Sequence, residues 1–515
     1  MNNLVIINGQ INTMNPFQPY AQAVAIKNGR IIAVGSNEEI KQVMPFDAEI
    51  IDAKGNSVFP GFIDTHAHFS MTGQNASQVD VYSAESKEDF IRILKEKEKT
   101  LPPGVWLQGT GYDETQYPGK ALPTIKELDA AFPDRPIIVS RVDAHQLCLN
   151  SIAFKELGVN INEKGVELNE DGTFSGVIKD PANGIVKKLL ADKLMTEEMR
   201  RNNLHIASEV ALKKGTTTIC ALEGGTVCDE ADVPVFLKYQ DELPIHTHLF
   251  HQIIDVDKVI SEGQKSIGGC ICLDGSMGSR TAAFLDDYAD CAGYKGELYY
   301  TPKEVEDFVM EAHCKGLQIS MHCIGDRAIE TLLQAYEKAL YKYPRYDHRH
   351  RFEHFSVPTY NQMIRAKNLG CYIAIQPSFV YPPAAPEIML NDRLGEERIN
   401  RAYPFRTLME VGLPVAGGSD SPVTLINPFR GIIAGMNHFQ KAQRFSLYEG
   451  LKMFTADAAK FVFEEKDKGT IEVGKLGDIA IIEGNIWDMD VNDIEGFNDI
   501  KLLYTIVAGE IKYKA

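Results

Sequence analysis

Residues 58 to 68 read VFPGFIDTHAH and end in His66-Ala67-His68. The apolar start suits a buried strand, and side chains alternate along a strand, so Phe62, Asp64, His66 and His68 share one face. Two imidazoles on one face, two residues apart at a strand end, can bind one metal ion. A lone His-x-His is common by chance, and its weight here comes from its company. Pro60-Gly61 marks a sharp entry, and Asp64 can orient a histidine from behind. Later apolar runs close on further donors: His322 ends LQISMH, His354 ends HRFEH and Asp420 ends PVAGGSD. Such nitrogen and oxygen donors suit Zn2+, with Fe2+ or Mn2+ as alternatives. Each residue also has an ordinary reading: a core histidine for His322, a partner for Glu353 in His354, a helix cap for Asp420. Five coinciding at strand ends favour a metal centre. A metal held there activates water near neutral pH and polarises the carbonyl under attack. Asp420 is expected to accept the proton and pass it to the leaving group.

These donors need a scaffold that brings strand ends together. After the first strand, TTTICALEGG, IHTHLF, GGCICLDGS, LQISMHCIGD, HRFEHF, CYIAIQP and PVAGGSD read as seven more, several followed by helical stretches such as DRAIETLLQAYEKAL. Strand and helix alternation of this kind predicts an α/β fold, a (β/α)8 TIM barrel, with its site at the C-terminal strand ends. Residues 70 to about 200 do not fit the repeat and read as an insertion after strand 1, able to cover the site. Short alternating runs with Asn-Gly turns at the start (LVIINGQI, AVAIKNGRIIAVG, AEIIDAKGNSV) predict β-hairpins. The last fifty residues look alike, so both termini are expected to form one small β-sandwich. The boundaries are 1–57 with 465–515 for that domain and 58–464 for the barrel.

The 515 residues carry 53 Lys and Arg against 71 Asp and Glu, a net charge of −18, which argues against nucleic acid or an anionic membrane as partner. No apolar stretch has the ~20 residues of a membrane span. MNNLVIINGQINTMN lacks the features of a signal peptide. Nine scattered cysteines do not form a disulfide framework, so a cytoplasmic protein with reduced thiols is expected. A small-molecule substrate follows, and the acidic barrel is compatible with a homodimer.

FPGFIDTHAH, MHCIGDRAIE, RFEH, GGSDSP and KGTIEVGKLGDIAIIEG together resemble the amidohydrolase superfamily, and within it the family 3 branch that includes N-substituted formamide deformylases. The resemblance covers essentially the whole chain. It implies a barrel with a terminal β-sandwich and hydrolysis of C–N bonds in amides or related groups. DAHQLCLNSIAF is similar to the branch's substrate-side segment, which makes His145 and Asn150 candidate donors to a developing oxyanion. The branch often carries a lysine on the fourth strand whose carbamate bridges two metals. Cys270 stands at the matching position. A Cys270 thiolate as ligand, a bridge from Glu223 at the end of the second strand, and a one-metal site are the three alternatives. Cys270 and Cys272 also suit a buried strand as small hydrophobes, and Glu223 a loop cap. Asp274 and Arg280 flank a Gly-Ser-Met-Gly loop and are candidates to hold a polar substrate group, with an ion pair to a nearby acid as the other reading of Arg280. Asp326 and Arg327 are expected to anchor the helix after His322. Tyr112, Phe379 and Tyr381 are candidates for an apolar pocket, against core packing.

The expected function is that of a metal-dependent hydrolase cleaving a non-peptide or N-substituted amide C–N bond of a small molecule with metal-activated water, using one or two Zn2+. The alternatives are a deaminase or cyclic amidase on the same scaffold, and a non-catalytic ligand-binding member of the fold.

Overall fold

Eight parallel strands follow one another around a single sheet in chain order. They are β1 (Phe62–Ala67), β2 (Thr216–Glu223), β3 (His246–His251), β4 (Ser266–Ile267), β5 (Gln318–Cys323), β6 (Arg351–His354), β7 (Tyr372–Ile375) and β8 (Val415–Gly417). A parallel bridge from Ala67 to Ser421 brings the first strand back to the end of the last. The structure, a computed structural model, describes all residues except 1–2, 103, 115–116, 142–145, 180–181, 226 and 382–384.

The strands read as continuous apolar runs because a parallel sheet is covered on both faces. Every residue of β1, β2, β5 and β6 is buried. The helices hold their places by ordinary means. Asp326–Lys342 buries Ala328, Ile329, Leu332, Leu333, Tyr336 and Ala339, an apolar stripe at helical spacing. Thr301 with Glu304 and Thr359 with Gln362 close capping boxes at the starts of Pro302–Cys314 and Tyr360–Leu369.

The fourth strand is shorter than GGCICLDGS predicts. Its ladder stops at Ile267, and the backbone meets β5 again at a bridge from Cys272 to His322. Gly268 and Gly269, at φ of 97° and 76°, turn the backbone between the two contacts. A Cβ at Gly268 would sit 1.9 Å from the Ser320 carbonyl, so only glycine passes.

The terminal segments form two sheets. Ser57–Pro60 pairs with Ile479–Ile482 in a six-stranded sheet built from both ends of the chain, and Leu4–Ile7 lies in a four-stranded one. Of the three expected hairpins only Ala23–Lys27 with Arg30–Gly35 forms. In LVIINGQI and AEIIDAKGNSV the turn instead sends its two halves to different sheets, because both sheets share one core. Leu4, Ile6, Val24 and Ile26 meet Ile11, Val58, Ile479 and Ile506 there.

The chain divides into two compact units, residues 1–72 with 207–515, and residues 73–206. The second has its own six-stranded sheet, ordered Val166–Leu168, Phe174–Lys179, Gln146–Leu149, Ile137–Arg141, Leu107–Tyr112, Val79–Asp80. Tyr112 packs in its core. Among the described residues no helix is long and apolar enough to cross a membrane.

Three buried histidines at the N-terminal end of β6 are locked in the neutral form. His350 Nδ1 accepts the Ile319 N–H (3.1 Å), and its Nε2 donates to His313 Nδ1 (2.9 Å). His313 Nε2 donates to the Tyr343 carbonyl (2.6 Å). His348 Nδ1 accepts the His350 N–H (2.9 Å) while its Nε2 donates to the Leu369 carbonyl (2.8 Å). Burial pushes His348 down to about 4, His350 well below its ordinary value, and His313 below it. Unfolded, all three bind protons near the usual value of about 6.5. The unfolded state therefore takes up more protons below that pH, and stability is complete above it and lost as pH falls toward 4. The melting temperature is expected to drop between pH 6.5 and 5, above the range of ordinary carboxylates. His350→Gln should melt lower at neutral pH and show a shallower fall. A flat profile over that window in the natural protein would contradict the neutral lock.

Candidate metal centre

The ends of β1, β5 and β6 and the turn after β8 converge on one buried cluster. One donor atom each from His66, His354 and Asp420 lie within 4.8 Å of one another, and so do one each from His66, His68 and Cys270. His322 stands beside them, its ring 4.5 Å from that of His354 and edge-on to it. The structure thus gathers His66, His68, His354, Asp420 and Cys270, with His322 adjoining.

A partner behind each ring decides which nitrogen faces inward. His66 Nδ1 is 2.6 Å from Glu353 Oε2, and His354 Nδ1 is 2.6 Å from Gln376 Oε1. His68 Nδ1 is 3.5 Å from Cys228 Sγ, whose own S–H points to the Leu222 carbonyl. His322 Nδ1 is 3.2 Å from Asp274 Oδ1. A proton held on Nδ1 of His66, His68 and His354 turns each Nε2 lone pair toward the cluster, where that of His354 meets the Cys270 thiol at 3.7 Å. His322 Nδ1 is buried without a hydrogen-bond partner among the described residues. Asp420 Oδ1 lies 3.1 Å from both His66 Nε2 and His68 Nε2. Yet His66 Nε2 and Asp420 Oδ1 are buried and have no hydrogen-bond partner among the described residues. Atoms that close but out of hydrogen-bond geometry are lone pairs aimed at a common third point, which is how a cation is held. The donor set fits a divalent metal.

The charges agree with this arrangement. Burial alone pushes the Asp420 carboxyl up, but His66, His68 and His354 outweigh it and hold it well below the usual range. Glu353 is likewise buried, and Arg351 and His66 keep it low. Both Asp420 and His354 sit in left-handed backbone, at φ of 57° and 70°. Strain of that kind in bulky residues is kept where surrounding structure fixes it for a purpose.

Several sequence expectations are revised by side-chain partners. Glu223 is in neither donor group. Its Oε1 accepts the Ser70 N–H (2.8 Å) in the first turn of the helix that follows His68, its buried Oε2 has no hydrogen-bond partner among the described residues, and burial pushes the carboxyl up to about 8. Asp64 orients no imidazole, because its Oδ1 accepts the backbone N–H groups of His66 and Ser419. Asp274 is fully buried and accepts from the N–H groups of Ala283, Ile324 and Gly325, so it braces the loop and backs His322 with no group left for substrate. Arg280 pairs with Asp290 at 2.9 Å. Asn150 caps Ser151–Leu157 and donates to the Phe132 and Arg135 carbonyls, which commits its amide locally instead of to an oxyanion. His145 lies outside the described residues. Asp326 and Arg327 anchor their helix, through Leu285 N–H and Arg401 for the first and the Gly296 carbonyl for the second.

Sequence reasoning did not assign Glu353, Gln376 or Cys228 these supporting positions. A glutamate inside RFEH, a strand buried on both faces, was the one available signal. Gln376→Ala is expected to weaken zinc binding about 10- to 100-fold, the usual cost of losing a ligand's supporting partner. Competition with a chromogenic chelator measures it, and unchanged affinity would show that Gln376 does not set the His354 ring.

Similarities to known proteins agree with this geometry. The chain is 29% identical over 538 residues to the putative amidohydrolase YtcJ of Bacillus subtilis, covering 98% of each. It is 24% identical to the N-substituted formamide deformylase of Arthrobacter pascens, over 100% of this chain and 99% of that one. The crystal structure of an uncharacterised metal-dependent hydrolase from Pyrococcus furiosus superposes with a TM-score of 0.79 at 25% identity, over 94% of this chain and 99% of that one. The family model for the amidohydrolases matches residues 49–513, and the chain belongs to that family.

Proposed function

We propose that this chain is a metal-dependent hydrolase that cleaves a non-peptide or N-substituted amide C–N bond of a small molecule. The observation that carries the reading is the buried convergence of His66, His68, His354 and Asp420, with a nitrogen and an oxygen 3.1 Å apart and no hydrogen bond between them. The formamide deformylase named among its relatives supports the bond type. His66, His68, His354, His322 and Asp420 would hold the metal, Zn2+ by preference for this donor set, and Cys270 would add a thiolate. A bound divalent ion lowers the pKa of water and polarises a carbonyl. Asp420, ionised by the imidazoles around it, takes the proton of the attacking water on its carboxylate and returns it to the departing nitrogen. Glu353, Gln376 and Cys228 keep the rings from turning during the reaction. Phe379 stacks on the His354 ring at 5.7 Å. We also read the two terminal sheets with their common core as one β-sandwich.

A panel of N-substituted formamides and acyl amides, assayed for acid and amine, tests the reading. Chelation should abolish turnover and Zn2+ restore it, and Asp420→Asn should lower kcat about 100- to 10,000-fold. Ammonia or a ring-opened acid as product would favour the deaminase or cyclic amidase, and Asp420→Asn turning over normally would overturn the assignment. X-ray absorption of the zinc-loaded protein is expected to show sulfur at about 2.3 Å, lost in Cys270→Ser. A spectrum with nitrogen and oxygen alone in the natural protein would remove Cys270 from the ligand set.

A further inference from the structure

Beside the donor cluster lies a cavity of about 530 Å3, and one of its walls carries an unused positive charge. Phe379, whose ring stacks on His354, lines it, as does Val423, whose N–H donates to the Asp420 carbonyl at 2.8 Å. Met277, Ile324, Tyr403 and Leu425 make the rest of the wall largely apolar. Val423 and Leu425 are 65% and 59% exposed, an apolar rim left open to solvent. Arg430 reaches this cavity from Pro428–Met436, the helix after β8. Its guanidinium carbon lies over the Tyr381 ring, 4.0 Å from the ring centre, and the Tyr381 hydroxyl donates to Glu495 (2.6 Å). Among the described residues Arg430 makes no ion pair, and its buried Nε has no hydrogen-bond partner. Arg280 and Arg393, by contrast, pair with Asp290, and Arg401 pairs with Asp326.

A guanidinium set against an aromatic ring at the wall of an apolar cavity, with no ion pair among the described residues, offers the fork geometry that a carboxylate matches. From this we infer that Arg430 is a specificity residue that binds a carboxylate on the substrate, the rest of which is apolar. The substrate class is then an N-substituted amide with an aromatic or aliphatic body and a carboxylate at the end away from the scissile bond. This inference rests on the hydrolase reading of the adjoining cluster, and its test does not need turnover.

The test is calorimetric titration of the full-length, metal-containing protein with 3-phenylpropionate and with its neutral counterpart 3-phenylpropanamide. The acid is expected to bind about 10- to 100-fold tighter than the amide, the range of a charge-assisted hydrogen bond. Arg430→Met should remove that preference and leave amide binding and the melting temperature unchanged, and Arg430→Lys should keep part of it. Equal affinities in the natural protein, or no binding of either probe, overturn the inference. A preference that survives in Arg430→Met also overturns it, because the carboxylate is then held by the metal. The formamide panel run on the same preparation reports separately on the hydrolase: a preference for the acid without turnover would leave Arg430 standing and that reading fallen.

Discussion

Asp64 Oδ1 accepts the backbone N–H of His66 at 3.0 Å and that of Ser419 at 2.9 Å, so one buried carboxylate pins the first barrel strand to the turn after the last. Three more bonds run along the same seam. Thr65 Oγ1 donates to the Gly417 carbonyl (2.9 Å), the Asp420 N–H to the His66 carbonyl (2.7 Å) and the His68 N–H to the Ser421 carbonyl (2.8 Å). This seam closes the barrel, and it also sets His66, His68 and Asp420 against each other. The two tasks cannot be separated: a slip of one residue in β1 would reverse every side chain and aim the imidazoles away from Asp420.

Behind the seam, charge is buried only where it is paired. Arg351 is fully buried and holds Glu353 at 2.8 Å, while donating to the Thr65 carbonyl (2.6 Å) and lying 4.6 Å from the Phe250 ring centre. Glu353 in turn takes the Ser320 hydroxyl and the His66 ring. The chain of contacts Arg351–Glu353–His66–Asp420 thus runs from the barrel interior to its mouth. An ionised carboxylate is affordable at such depth only with partners on all sides, since breaking a buried pair costs about 3–5 kcal/mol. The arrangement makes the orientation of His66 a property of the core and not of a loop.

The chemistry and the recognition draw on different elements. Donors come from strand ends, which the sheet fixes. The cavity wall comes from the segment after β7, the Ser276–Gly278 loop and the turn after β8, which can change without disturbing the sheet. Phe379 belongs to both, through its stack on His354. The second compact unit, residues 73–206, has a core of its own, with helices such as Lys87–Glu98 packed on its sheet.

By itself the sequence determined the barrel, the β-rich termini and the candidate donors, because each depends on periodicity or on residue type at a strand end. The runs ending in His66-Ala67-His68, His322, His354 and Asp420 could be placed at one mouth without coordinates, since parallel strands in a barrel all point one way. Pairing over long distance was not legible. LVIINGQI looks like a hairpin locally, and only the shared core sends Leu4–Ile7 and Gln10–Asn12 to different sheets. The local bonds of Asp274, Asn150 and Glu223 were not legible for a related reason. Each is a polar residue beside the expected site, and whether its oxygens face a ligand or a backbone N–H is decided by neighbours up to 153 positions away in the chain. Glu353, Gln376 and Cys228 stand on strands or turns whose approach to the histidines only the folded barrel creates. Tertiary structure alone decided them, because a buried hydrogen bond depends on ångström placement, and residue type sets only what can be bonded, not what is within reach.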